Sequence, residues 1–137
     1  MAMQRGGIAF FLALWLAFVM TSAGAADLPP SGEVDGPQGH ALMRELGEQL
    51  LVLDVRTPVE FARGHVPGAL LIPVQGLEER LGEIPGDRPV LLVCRTGRRV
   101  VTAYNILVTA RPDMIRSGLW RLKATPVYRP DGSFVFR

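Results

Sequence analysis

Two continuous apolar runs constrain the fold of this chain more than any other feature. Leu50 to Val55 reads LLVLDV, and Pro89 to Val93 reads PVLLV. Neither run alternates apolar and polar residues, and this is the pattern of a strand buried on both faces within a parallel sheet. Helical or turn-forming segments surround both runs. Because strands alternate with helices, the sequence predicts an α/β fold with a mainly parallel sheet.

The remaining elements are predicted from apolar periodicity and from helix and turn signals. Thr57 is predicted to cap a helix whose first turn holds Pro58. Helices are also predicted for residues 40–49, 77–81 and 98–110. Further strands are predicted for residues 69–72 and 114–116, and a hairpin for residues 127–128 with 134–136.

The N-terminal residues have the order of segments found in secretory signal peptides. Arg5 supplies a positive charge, Ile8 to Met20 is an unbroken apolar run, and Ala23-Gly24-Ala25 fits the small-x-small cleavage rule. We therefore predict a signal peptide over residues 1–25 and a periplasmic location. The alternative is an uncleaved membrane anchor, although this run is short beside the roughly 20 apolar residues that a span needs.

The segment after the signal peptide is predicted to be a flexible leader over residues 26–39. It is rich in Pro, Gly and acidic residues and has no apolar period. Residues 40–137 are predicted to form one domain, which is large enough to bury its own core without a disulfide or a metal. We expect this domain to be a monomer.

Cys94 is the only cysteine among the 137 residues. A single thiol excludes an internal disulfide, and together with only His40 and His65 it makes a poor metal set, so we predict no metal. The net charge of +2 is not gathered into a long basic run. The sequence therefore indicates no nucleic-acid partner.

The surroundings of Cys94 indicate a reactive thiol. Cys94 to Gly97 is a predicted turn between an apolar strand and a helix, and sites in open α/β sheets form at the carboxyl ends of strands. Unpaired N–H groups at the helix start, together with Arg95, Arg98 and Arg99, favour an anionic sulfur and an anionic ligand. The alternative is a structural cysteine, because a lone Cys after an apolar strand is often a small core residue.

Two separated stretches resemble the rhodanese (thiosulfate sulfurtransferase) family. The first is LDVRTPVEFARGHVPGALLIPV, Leu53 to Val74, which is similar to the family's Asp-Val-Arg, Gly-His-Val-Pro-Gly-Ala and Ile-Pro segments. The second is VCRTGRRV, Val93 to Val100, which is similar to the loop in which Cys is followed by four residues and an Arg. With Gly118 and Trp120, the similarity covers roughly Leu50 to Pro126.

The resemblance implies a rhodanese-like α/β fold, a five-stranded, mostly parallel sheet with helices on both faces. It implies a thiosulfate sulfurtransferase in which Cys94 takes a sulfane sulfur from a small anionic donor as a persulfide. The sulfur then passes to a thiol or to cyanide, and no cofactor is implied. Arg95 and Arg99 are the candidates for the donor's oxyanion. The whole predicted substrate-binding loop is Arg95, Thr96, Gly97, Arg98, Arg99 and Val100.

Polar residues of the first stretch are predicted to support the site. Asp54 follows a buried strand and is expected to hold loops by hydrogen bonds, since buried polar groups find partners. Arg56 is the second supporting residue, and we expect it to form an ion pair with Glu60. His65 lies in a turn-forming segment and is expected to be structural, because a thiolate held by the loop needs no base.

Two features depart from the family's pattern. One glycine, Gly118, precedes Trp120 where family members usually have two. The stretch Arg111 to Arg116 is short for a loop and a full last strand. We therefore expect this strand to be truncated or displaced.

Two other functions stay open. The domain could be a non-catalytic sulfur carrier or sulfide-binding module, because carrier and enzyme share the same persulfide. A cysteine phosphatase is the weaker alternative. It needs Arg six positions after Cys and His before it, where this chain has Val100 and Val93. A membrane is a partner only if the N-terminal segment is uncleaved.

Overall fold

A five-stranded sheet forms the centre of the computed structural model, which describes residues 27–137. Its strands are β1 (Gly32–Val34), β2 (Leu51–Asp54), β3 (Leu70–Leu71), β4 (Val90–Val93) and β5 (Leu119–Leu122). They lie in the order β1-β5-β4-β2-β3, and every neighbouring pair is parallel. The predicted α/β fold with a mostly parallel sheet is therefore confirmed. The predicted signal peptide, residues 1–25, lies outside the described residues.

Helices and a hairpin surround the sheet. The helices are α1 (Gly36–Leu46), α2 (Pro58–Ala62), α3 (Arg99–Ala110) and α4 (Met114–Ser117). Short 3₁₀ turns span Gly47–Gln49, Val74–Gly76 and Glu78–Glu83. The strands β6 (Pro126–Tyr128) and β7 (Phe134–Phe136) pair in antiparallel fashion, and this confirms the predicted hairpin. No helix within residues 27–137 is long and apolar enough to cross a membrane.

The sheet has an apolar core on each face. On one face Leu53 and Leu92 pack with Leu107 of α3, and on the other Val52 packs with Leu42 of α1. Successive residues of a strand point to opposite faces, so a sheet covered on both sides needs apolar residues at every position. This requirement explains the continuous apolar runs of the sequence.

The predicted flexible leader over residues 26–39 is wrong from Gly32 onward. β1 adds to the edge of the sheet by pairing with β5, and α1 already begins at Gly36. Asp35 caps this helix, because its carboxylate accepts a hydrogen bond from the N–H of Gln38 at 2.9 Å. The Gln38 side chain in turn accepts from the N–H of Asp35, which completes a capping box.

Close packing explains why this segment is rich in glycine. A Cβ atom on Gly36 would lie 2.6 Å from the carbonyl oxygen of Phe136. A Cβ atom on Gly39 would lie 2.8 Å from Cδ1 of Leu122. The glycines thus let α1 approach β5 and β7, whereas the sequence pattern alone resembles that of a loop.

The predicted strand over residues 114–116 is also wrong, because these residues form the helical turn α4. Only Met114 of this turn is buried, while Ile115 is exposed. The last parallel strand lies later in the chain, at β5, and it pairs with both β1 and β4. Its four residues make a full strand, so the predicted strand is displaced along the chain rather than truncated.

Candidate active site

The carboxyl ends of β2, β4 and β5 meet at one edge of the sheet, and Cys94 lies at this edge. Cys94 follows β4 directly, and Val93 is in register with Asp54 of β2. The N–H of Val55 donates to the carbonyl oxygen of Val93 at 3.0 Å, so the chain segments after β2 and β4 leave the sheet side by side. This edge is where parallel α/β sheets place their sites.

The thiol of Cys94 is free and buried, with 1% of the residue exposed. The residue belongs to the apolar core on the α3 face of the sheet. In contrast, Arg95, Thr96 and Arg98 of the following loop are exposed. Reaction at this sulfur therefore requires the loop to admit the reagent.

The loop after Cys94 turns at Gly97 and leads into α3. Gly97 has a φ of +79°, which L side chains rarely adopt, and a Cβ atom there would lie 3.3 Å from Cα of Lys123. Within residues 27–137 the N–H groups of Arg99 and Val100, the first two of α3, make no hydrogen bond, whereas that of Val101 donates to the carbonyl oxygen of Arg98 at 3.1 Å. The side chain of Val100 is fully buried in the core, so only its backbone is available for the predicted role in substrate binding.

Glu60 holds the guanidinium group of Arg99. Two hydrogen bonds of 2.7 Å each join the guanidinium to the two carboxylate oxygens. The Glu60 carboxylate also accepts hydrogen bonds from the N–H and the hydroxyl of Thr57, the cap of α2. One prediction is thereby corrected, because the carboxylate partner of Arg56 is Asp54 rather than Glu60. The role of Arg99 toward the oxyanion of a donor stays a prediction, and in this structure its guanidinium is paired with Glu60.

Arg56 and Asp54 form a buried ion pair beside Cys94. Nη2 of Arg56 lies 2.6 Å from Oδ2 of Asp54 and 2.8 Å from the carbonyl oxygen of Gly64. Burial disfavours the charged guanidinium, but its hydrogen bond and Coulombic attraction to Asp54 raise the pKa of Arg56 above its ordinary value. Both residues hold the loop after β2, which is the supporting position expected for them.

A cleft of about 350 Å³ opens beside the loop. Its lining residues are Arg56, Glu60, Arg63, Gly64, Arg95 and Tyr128. Within residues 27–137 no side-chain hydrogen bond or ion pair engages Arg63 or Arg95, while Arg56 and Arg99 are matched by carboxylates. The cleft thus has an excess of positive charge, which favours anionic ligands. A cavity of similar size, about 340 Å³, lies away from Cys94 between Met43, Pro67 and Arg88.

Tyr128 forms one wall of this cleft. Its ring lies over the guanidinium of Arg56, with 4.9 Å between Cζ and the ring centroid. The hydroxyl is buried and has no hydrogen-bond partner within the described part of the chain. Burial raises the pKa of Tyr128 to about 12, although the positive charge of Arg56 acts in the opposite direction. The sequence predicts a hairpin at Tyr128 but carries no signal that points to a role in the site.

His65 lies in the structural position that the sequence analysis expected. Its ring stacks on Phe61 with 3.7 Å between the centroids, and Nδ1 lies 2.9 Å from the carbonyl oxygen of Phe61. Arg63 of the cleft comes from the same segment. Arg63 lies within the first family-like stretch, but the sequence gives it no role, because its place in the site depends on how α2 is oriented against the loop.

Replacing Glu60 with Gln is expected to flatten the acid side of the stability profile. Hydrogen bonds from Arg99 hold the pKa of the Glu60 carboxyl well below its ordinary value of 4.5. A carboxyl group whose pKa is lower in the folded state than in the unfolded state stabilises the fold at pH values above its unfolded-state pKa. The wild type should therefore lose this stabilisation progressively as the pH falls below 4.5. Urea unfolding midpoints measured between about pH 7 and about pH 3 test this expectation.

In this experiment Glu60→Gln should be less stable than the wild type at neutral pH and should lose less stability on acidification. The matched control is Glu48→Gln, since Glu48 is exposed and its side chain makes no ion pair within residues 27–137. This control should keep the wild-type slope. Parallel profiles for the wild type and Glu60→Gln would contradict the prediction.

The fold and the site together define a parallel α/β protein with a cysteine loop at the carboxyl end of a central strand. A sequence profile of the rhodanese-like domain matches residues 39–135. A sulfurtransferase from Allochromatium vinosum is 37% identical over an alignment of 90 positions, and the alignment covers 62% of this chain and 84% of that protein. The chain belongs to the rhodanese family.

Two further comparisons extend this finding. An HTH-type transcriptional regulator from Mycobacterium tuberculosis is 34% identical over 110 residues, so the match covers 75% of this chain but only 48% of that protein. A human single-domain sulfurtransferase of known structure superimposes with a TM-score of 0.56 at 23% identity. The superposition covers 69% of this chain and 89% of the human one. At this identity the structural match shows the fold alone.

Proposed function

We propose that this protein is a sulfurtransferase that moves a sulfane sulfur from a small anionic donor, such as thiosulfate, to a thiol or to cyanide. The rhodanese-like domain and the Allochromatium relative support sulfur transfer as the general activity. One observation carries the finer proposal. Cys94 lies at the carboxyl end of β4, and the next residue, Arg95, lines a cleft in which Arg63 and Arg95 have no carboxylate partner among the described residues.

The proposed reaction has two half-reactions. The Cys94 thiolate attacks the outer sulfur of thiosulfate, the sulfur–sulfur bond of the donor breaks, and sulfite leaves with the bonding electron pair. Cys94 then carries a persulfide. An acceptor thiolate or cyanide attacks the terminal sulfur, which leaves as an acceptor persulfide or as thiocyanate, and the Cys94 thiolate returns.

The loop supplies the charge stabilisation for both steps. Unpaired N–H groups at the start of α3 favour an anionic sulfur on Cys94. Arg95 and Arg63 attract the anionic donor into the cleft. Arg63 takes the place of Arg99 in this role, because the guanidinium of Arg99 is hydrogen-bonded to the Glu60 carboxylate. Thr96 and Arg98 lie at the exposed rim of the loop.

The test is an intact-mass measurement of the purified protein before and after thiosulfate, followed by turnover with cyanide or a thiol. Sulfur transfer requires a gain of one sulfur atom that the acceptor then removes.

Arg95→Ala should raise the Michaelis constant for thiosulfate about tenfold, the order of one charge-assisted hydrogen bond. Arg116→Ala, at an exposed residue of α4, is the control. An unchanged constant in Arg95→Ala would remove Arg95 from the donor site.

A sulfur carrier is the second candidate, and the burial of Cys94 favours it. A thiol with 1% exposure would shield a bound persulfide from stray nucleophiles. Stoichiometric loading without multiple turnovers would identify a carrier. A native thiol that resists both alkylation and sulfur loading would contradict enzyme and carrier alike.

We also propose that residues 1–25 direct export and that the domain acts as a periplasmic monomer. The basic, apolar and small segments of residues 1–25 support the export signal. The intact mass of the exported protein would report the new N-terminus. A mass that still includes residues 1–25 would instead favour a membrane anchor.

A further inference from the structure

The hydroxyl of Tyr128 is a buried polar group that has no hydrogen-bond partner within residues 27–137. Among the described residues it is the one buried side-chain nitrogen or oxygen that makes no hydrogen bond. Buried polar groups are almost always paired, and an exception calls for an explanation. A ligand that brings its own acceptor atom supplies such an explanation.

The ring of Tyr128 is fixed from several sides. The guanidinium of Arg56 lies 4.9 Å from the ring centroid, and this guanidinium is itself held by Asp54. Gly64 packs so closely that a Cβ atom there would lie 2.7 Å from Cβ of Tyr128. The ring also contacts Phe134, with 6.4 Å between the centroids. The position of the hydroxyl is therefore set by the fold.

Toward an anionic ligand, which has no proton to donate, the hydroxyl can serve only as a hydrogen-bond donor. Burial raises the pKa of Tyr128 to about 12, so the phenol keeps its proton at neutral pH. The ring lines the same cleft as Arg63 and Arg95, whose charges attract anions. The positively charged cleft favours an anionic sulfur or oxygen atom as the hydrogen-bond acceptor for this hydroxyl.

We propose that Tyr128 is a catalytic residue whose hydroxyl donates a hydrogen bond to the anionic sulfur group that enters the cleft and is carried on Cys94. This inference rests on the proposed function. The phenolic O–H bond stays intact. The hydrogen bond stabilises negative charge on the departing sulfite or on the terminal persulfide sulfur. The site would thus extend from the cysteine loop to the C-terminal hairpin.

Tyr128→Phe separates this role from a structural one. Phe keeps the ring over Arg56 and removes only the unpaired hydroxyl, so the unfolding midpoint should stay the same or rise. The rate of Cys94 loading by thiosulfate in a single turnover should fall about tenfold or more, as expected for the loss of a hydrogen bond to a charged group. Tyr104→Phe on α3 is the matched control and should load at the wild-type rate.

A spectroscopic readout follows from the composition, because the chain has two tyrosines. In the Tyr104→Phe protein, fluorotyrosine labels Tyr128 alone. Its fluorine resonance should shift when thiosulfate loads Cys94. After excess thiosulfate is removed, the shift should persist in this protein but not in a variant that carries both Cys94→Ser and Tyr104→Phe.

The outcomes distinguish a failure of the proposed sulfur transfer from a failure of the proposed role of Tyr128. If the wild type fails to gain sulfur, the proposed function fails and this inference fails with it. If the wild type loads but Tyr128→Phe loads at the same rate, the role of Tyr128 is overturned and sulfur transfer stands. A lower unfolding midpoint in Tyr128→Phe, with normal loading, would mean that the hydroxyl is structural.

Discussion

Replacing Cys94 with Ser is expected to reduce sulfur transfer by at least about 10³-fold, the scale seen when a covalent nucleophile is removed. A serine hydroxyl is not ionised at neutral pH and does not form a persulfide, so both half-reactions stop. Turnover of thiosulfate with cyanide and the intact mass after thiosulfate measure the loss. The mass should show no added sulfur.

The same variant should remain folded. Ser occupies nearly the volume of Cys, and placing a hydroxyl in the buried site costs about 1–3 kcal/mol out of a total stability of about 5–15 kcal/mol. Cys94→Ala serves as the control because it brings no polar group into the core around Leu92. Near-normal turnover in Cys94→Ser would show that sulfur does not pass through this residue.

Replacing Arg56 with Met is expected to give the largest loss of stability among single changes at the site. Asp54 is fully buried, and Arg56 supplies the charge that compensates its carboxylate. Removing one partner of a buried ion pair costs about 3–5 kcal/mol, because the other charge stays buried alone. Equilibrium unfolding in urea measures this loss, provided that the dependence of the unfolding free energy on urea concentration is the same in both proteins.

A double variant tests the cause of that loss. Asp54→Leu combined with Arg56→Met removes both charges and should recover much of the stability, since an apolar pair often replaces a buried ion pair without penalty. The exposed pair Arg80–Glu83 provides the contrast, and Arg80→Met should change stability little. Equal losses in the single and double variants would show that packing of the Arg56 side chain, rather than charge, holds the site.

Much of the fold was predictable because its signals are local. The apolar runs that became β2 and β4 are continuous in the sequence, and both were predicted within a residue or two. Thr57 and Pro58 mark the start of α2, and the structure shows the predicted cap. Caps and strand periodicity depend on neighbours in the sequence, so they can be recognised without a structure.

The missed elements depend on contacts between distant residues. Residues 32–39 look like a loop because glycine and proline dominate, yet β1 needs β5 for its hydrogen bonds and α1 needs β7 for its packing. The helical turn α4 took the place of a predicted strand because the N–H groups of Ile115 and Arg116 bond to carbonyl oxygens three residues earlier, at Pro112 and Asp113, rather than to another strand. Neither outcome is encoded in the periodicity of the segment itself.

The sequence by itself determined the parallel sheet, the cysteine between a strand and a helix, and the cluster of arginines after it. Only the tertiary structure decided which arginines are free, because Arg99 meets Glu60 and Arg56 meets Asp54 across loops that the sequence does not orient. It also decided that Tyr128 of the hairpin lines the cleft. Periodicity and capping are local properties of the chain, whereas ion pairing and burial depend on three-dimensional distances between separate segments.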